Sequence, residues 1–112
     1  MKIAISSTTQ NIDDKIDETF GRCPYFIIAE IENGKIEKSE AIKNESIEQT
    51  SGAGISAAQL VVDKKVEAVI TGNVGPRAFD VLNQFKIKVY TGKGVVKEAI
   101  QDCIDNKLEE IK

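Results

Sequence analysis

Two stretches near the end of the chain share one plan. "AVITGNVGPRAFDVL" and "KVYTGKGVVKEAIQD" each run apolar strand, Thr-Gly, glycine-rich turn, helix, with their Thr-Gly pairs twenty residues apart. A strand followed by a helix and then another strand returns parallel to the first, through a right-handed crossover. That repeat commits the chain to an α/β architecture before anything else is read.

The remaining segments fit around it. "KIAIS" (2–6) reads as a short buried strand, and the polar segment 7–19 has no clean period and reads as a loop. "YFIIAEIE" (25–32) and "KIEKSEAIK" (35–43) flank Asn33-Gly34, a strong hairpin signal, and the charged second strand suits a sheet edge. "GAGISAAQLVVDKK" has helical composition; "VEAVIT" (66–71) and "IKVYT" (87–91) are strands; "PRAFDVLNQF" (76–85) and "VVKEAIQDCIDNKL" are helices. The expected order is βββαβαβα, a mixed five-stranded sheet with helices on both faces. With 112 residues, the chain makes a single domain, 1–112.

Composition removes several function classes. The chain has no histidine, so it contains neither the usual general base nor the commonest metal ligand, and Ser-His-Asp and Cys-His mechanisms are excluded. A net charge of −3 without a basic block argues against nucleic acid as a partner. The opening lacks a secretory apolar region, and no apolar run approaches the ~18 residues that span a bilayer. A cytoplasmic protein with reduced cysteines and no membrane partner is expected. Nuclease chemistry needs carboxylates held on the sheet, and the first strand has none.

In the expected topology five connections meet at one sheet edge: 7–19, "FGRCP", "TSGAG", "TGNVGPR" and "TGKG". Open α/β sheets bind ligands at such an edge. Gly21, Gly52, Gly54, Gly72, Gly75, Gly92 and Gly94 fall there, as do both arginines, Arg22 and Arg77, and Lys93. Three helices begin there too, with unpaired N–H groups and positive dipole ends. Bare donors and fixed positive charge on an acidic protein predict an anionic ligand at Gly21, Arg22, Gly52–Gly54, Gly75, Pro76, Arg77, Gly92, Lys93 and Gly94. The plainer alternative is that glycines serve turns in every α/β protein.

Other signals are weaker. "GAGISA" matches the dinucleotide pattern but follows no strand, and the acidic position about twenty residues on is Gly72. "TGKG" lacks the rest of a phosphate loop. Asp13, Asp14, Asp17 and Glu18 match no calcium loop and read as a solvated acidic turn. Cys103 lies on a helical apolar stripe and reads as core. Cys23, between Arg22 and Pro24 near helix N-termini, reads either as a thiolate suited to a soft metal or as a turn cysteine with no role. One thiol without histidine cannot complete a tetrahedral zinc site.

"MKIAISS", "FGRCPYFIIAEIENGKI", "SGAGISAAQLVVDKKVEAVITGNVGPRAFDVL" and "IKVYTGKGVVKEAI" together resemble the dinitrogenase iron–molybdenum cofactor biosynthesis domain, found in NifX and the C-terminal part of NifB. The resemblance covers nearly the whole chain, in order. It implies a ribonuclease H-like fold and a non-enzymatic carrier of an anionic iron–sulfur or iron–molybdenum type cluster or a precursor, with cluster-assembly proteins as partners. The family's loop residues fall on Phe20, Gly21, Arg22, Gly52, Ala53, Gly54, Gly75 and Pro76. Where members commonly carry histidine, this chain has Thr19 and Ser51. On that reading Cys23 is the remaining soft ligand, with Arg22 balancing charge. The alternative is a metal-free regulatory module for phosphate or an organic acid. Oligomeric state is not legible.

Overall fold

The Asn33-Gly34 pair turns the chain with both residues in the left-handed region, φ 54 and φ 74, as a two-residue hairpin of this type requires. In a computed structural model describing residues 1–45 and 52–112, that turn joins β2 (Tyr25–Glu32) to β3 (Lys35–Lys43). β2 lies antiparallel to β1 (Lys2–Ser7), and β1 lies parallel to β4 (Ala68–Thr71). β5 (Lys88–Thr91) continues the parallel set, giving the order β3-β2-β1-β4-β5 up to that point. The mixed sheet expected from the twin strand–helix units is present.

One element differs. The apolar stripe read as a helix through residue 108 ends earlier, as α3 (Val96–Ile104). Asn106 takes φ 59 and its N–H donates to Cys103 O, while the Lys107 N–H donates to Asp102 O, which turns the chain back. Glu109–Ile111 then pairs antiparallel with β5 as β6, so the sheet has six strands, order β3-β2-β1-β4-β5-β6, not five. Asparagine past a helix end was the available signal.

Alternation along the strands sends side chains to two cores. Ala4, Phe26, Ile28, Val69 and Val89 pack against Ala57, Ala58 and Val61 of α1 (Ala53–Asp63), and Ala78 and Leu82 of α2 (Pro76–Gln84). On the other face Ile3, Ile5, Ile27 and Ile70 pack against Val96, Ala99 and Ile100 of α3. Helices therefore cover both faces, two on one and one on the other. Phe85, read as part of the α2 stripe, is the C-cap residue and is 54% exposed. Among the described residues, no helix is long and apolar enough to cross a membrane.

The parallel strands β1, β4 and β5 end at one edge, where β2 starts and β3 stops, since Tyr25 pairs with both Ser7 and Lys43. The strand ends expected to share one edge of the sheet do share it.

Candidate functional site

Gly21, Gly52, Gly54, Ile55, Gly75, Pro76, Arg77 and Ala78 surround one shallow depression of about 330 Å³ at that edge. The close approach has a steric origin. A Cβ on Gly21 would stand 3.0 Å from both Cα and N of Gly54, so only glycine lets the turn after Phe20 touch the first turn of α1.

Both helices that open on the depression start without a side-chain cap. α1 follows Gly52, held at φ 74, and α2 follows Gly75, with Pro76 in its first turn. The first intrahelical bonds run from Ser56 N to Gly52 O and from Phe79 N to Gly75 O. Among the described residues, no acceptor takes the amides of Gly54, Ile55, Arg77 or Ala78. Each helix end carries roughly half a positive charge from its dipole, and the exposed Arg77 adds a whole one. Ala53, also expected at the site, is buried beneath its own helix turn. Arg22 is exposed and adjoins Gly21 in sequence.

The third glycine loop goes elsewhere. Gly92 and Lys93 line a separate hollow with Thr91, Asp102, Lys107, Leu108 and Glu109, where two lysines face two carboxylates. The α3 N-terminus is also spoken for. Val96 N donates to Asp14 O and Lys97 N to Ile12 O, both at 2.9 Å, and Gly94 O accepts from Ile16 N at 2.8 Å. The segment 7–19, read as a loop, folds over that helix end and uses its donors. Its carboxylates do not gather: among the described residues, no three acidic or thiol groups come within metal-holding range of one another.

Cys23, read either as a thiolate suited to a soft metal or as a turn cysteine with no role, is a fully buried thiol in the α1/α2 core. It lies in the same cluster as Phe20 and Phe26, whose rings lie 5.1 Å apart, and burial disfavours the thiolate. Its Sγ donates to Phe20 O at 3.2 Å. Burial first, and the negative charge of Asp17 second, push it up to about 12, against a smaller opposing pull from Asn44. The turn Phe20–Pro24 closes with this side chain inward, so neighbouring positive charge does not govern its titration.

Sequence reasoning missed Asn44. It is fully buried, and its Nδ2 donates to Cys23 O at 2.8 Å and Gly21 O at 3.1 Å. Apart from its place at the end of a strand, nothing in the sequence marks it. Ile55, 40% exposed at the depression, was also missed. Ser51, noted where relatives carry histidine, lies outside the described residues.

A sequence model of the dinitrogenase iron–molybdenum cofactor family matches residues 1–106. A Methanocaldococcus jannaschii protein, MJ0580, is 35% identical, over 98% of this chain and 95% of its own. The apo form of the orange protein from Desulfovibrio gigas superposes with TM-score 0.89 at 30% identity, covering 98% of this chain and 92% of that one. A Thermotoga protein provisionally described as NifB gives 0.82 at 35% identity, covering 97% and 91%. The match takes in both helical faces and every residue of the depression, and the chain belongs to the dinitrogenase iron–molybdenum cofactor family.

Proposed function

We propose that the protein is a non-enzymatic carrier, acting in the cytoplasm, for an anionic, sulfide-rich metallocluster of the iron–sulfur or iron–molybdenum type during cofactor assembly or trafficking. One observation carries the reading: two uncapped helix N-termini, Gly21 and Arg77 surround the same depression on a protein of net charge −3. Backbone amides and a guanidinium are hydrogen-bond donors, and sulfide ligands of an anionic cluster are acceptors. Family membership and the cofactor named in the family's description agree with this.

The donor set fits cargo that arrives with its own ligands. Among the described residues, no thiol or carboxylate lines the depression, and Cys23 is buried in the core as a protonated thiol. The described lining residues also offer no nucleophile and no general base, which supports carriage over catalysis. The cluster would rest on the amides of Gly54, Ile55, Arg77 and Ala78, with Arg77 and the neighbouring Arg22 balancing its charge.

A described lining of backbone amides and arginine without a soft ligand favours one second reading, a receptor for a small oxyanion such as phosphate. Anaerobic titration with a thiolate-capped four-iron cluster separates the two. Retention of the cluster's visible absorption by the chain through gel filtration, undiminished by Cys23→Ala and lost with Arg77→Glu, is the expected result. A wild-type chain that elutes colourless overturns the cluster reading. Amide shifts at Gly54 and Arg77 on adding inorganic phosphate would then establish the second.

A further inference from the structure

We infer that Asn44 is the positioning residue of this site, a single buried side chain that sets where the Arg22-bearing turn stands relative to the two helix ends. The inference rests on the cargo reading above and names the part of the chain that shapes it.

Three bonds tie Asn44 to the turn. Its Nδ2 donates to Gly21 O at 3.1 Å and to Cys23 O at 2.8 Å, and its backbone N donates to Pro24 O at 3.0 Å. The Cys23 Sγ lies 3.8 Å from the same nitrogen. The two side-chain bonds reach the carbonyls on either side of Arg22, so the Arg22 backbone is framed by one amide group. From the opposite direction Gly21 is pressed against Gly54, where no Cβ fits. The turn is thus held from beneath by Asn44 and stopped from the side by α1.

The sheet explains why this residue can do so. Asn44 follows Lys43, the last residue of β3, whose partner Tyr25 opens β2 just beyond the turn. Its side chain is 0% exposed, so its donors meet protein acceptors without competition from water. The two bonds offset the cost of burying the amide and fix the peptide planes on either side of Arg22. Replacing it leaves Gly21 O and Cys23 O seeking new donors, and the turn is free to swing toward solvent.

The test is a double-mutant cycle on the full chain, read with the thiolate-capped four-iron cluster as probe. Asn44→Ala should weaken probe binding about tenfold, and by less than about twofold once Arg22→Ala is already present, because Asn44 acts through Arg22. Asn44→Ser, which keeps one donor, should fall between, and serves if the alanine variant does not fold. Equal losses in the two backgrounds, or no loss at all, overturn the inference. Hydrogen exchange of the ligand-free protein gives a reading independent of cargo. The amides of Gly21, Arg22 and Cys23 should exchange faster in the variant while those of β4 do not; unchanged rates at the turn overturn the clamp. A wild-type chain that ignores the probe removes the cargo reading alone, and exchange then decides the clamp.

Discussion

Two mouths share one edge of the sheet and treat their helix ends in opposite ways. At α1 and α2 the first-turn amides meet no acceptor among the described residues, glycine sits at both N-caps, and an arginine stands at the rim. At α3 the same kind of amides are bonded to the carbonyls of Asp14 and Ile12, Glu98 lies in the first turn, and the nearby lysines face carboxylates. α2 of the open mouth and α3 of the closed one both began as strand, Thr-Gly, glycine turn, helix. What separates them is the loop 7–19, which lies across one and leaves the other open. Glycine and a helix start are therefore not enough to make an anion site; the donors must also be left over.

The strongest challenge to this contrast is alkaline pH, which attacks the core under the Phe20–Pro24 turn beside the open mouth. Cys23 is held up from 9.0 to about 12 in the fold, so its contribution to stability is complete below pH 9 and disappears as pH climbs toward 12. A rise of that size is worth at most about 4 kcal/mol, at one decade of proton affinity per ~1.4 kcal/mol. Urea midpoints measured from pH 8 to 11 should fall more steeply for the wild type than for Cys23→Ala. Parallel curves would mean that the thiol is not sealed under the turn.

Next in size is Gly92→Ala at the closed mouth. The new Cβ would stand 2.6 Å from Cγ2 of the fully buried Ile70 and 3.3 Å from Ile16. Overpacking of this kind costs about 1–3 kcal/mol. The expected outcome is a lower melting temperature with unchanged cluster uptake by the folded fraction. Weakened uptake in protein that remains folded would join the two mouths into one site.

Arg77→Ala should do the reverse, lowering cluster affinity about tenfold, or ~1.4 kcal/mol, and leaving the melting temperature in place. Lys93→Ala is its control and should change neither. Equal losses from the two would erase the distinction.

The smallest effect is also the most diagnostic. Gly75 has extended geometry at the α2 N-cap, and a Cβ there meets nothing within 4 Å. Gly75→Asp should supply the missing cap, raising stability by about 0.5–1 kcal/mol while its carboxylate occupies the donors and expels anions. A stabilised protein that still binds the probe would place the cargo elsewhere.

Much of this fold was legible in the sequence because its signals are local. The hairpin turn, the apolar runs of β1 and β2, and the twin strand–helix units fixed the strand directions, and those directions predicted the shared edge. β6 was not legible: three residues with one β-branched side chain, hidden behind an apparent helical stripe, pair only because Asn106 reverses the chain. The site was half legible. Glycines and arginines could be counted, but the destination of α3's donors depends on where a patternless loop comes to rest. The state of Cys23 depends on which way one turn closes. Asn44, 21 residues from one of its acceptors and 23 from the other, could not be read from spacing at all.

At the far edge the chain makes the opposite choice of residue. Lys65, Lys86 and Asn106, each one residue beyond a helix C-cap, hold φ 61, 60 and 59, where glycine would rest without strain. Each lysine there costs the fold about 1 kcal/mol that a glycine would spare. Lys65→Gly and Lys86→Gly should accordingly raise the denaturation midpoint without touching uptake. The end of the molecule remote from the depression thus holds a reserve of untapped robustness, available to an engineer who wants a hardier protein with that depression unaltered.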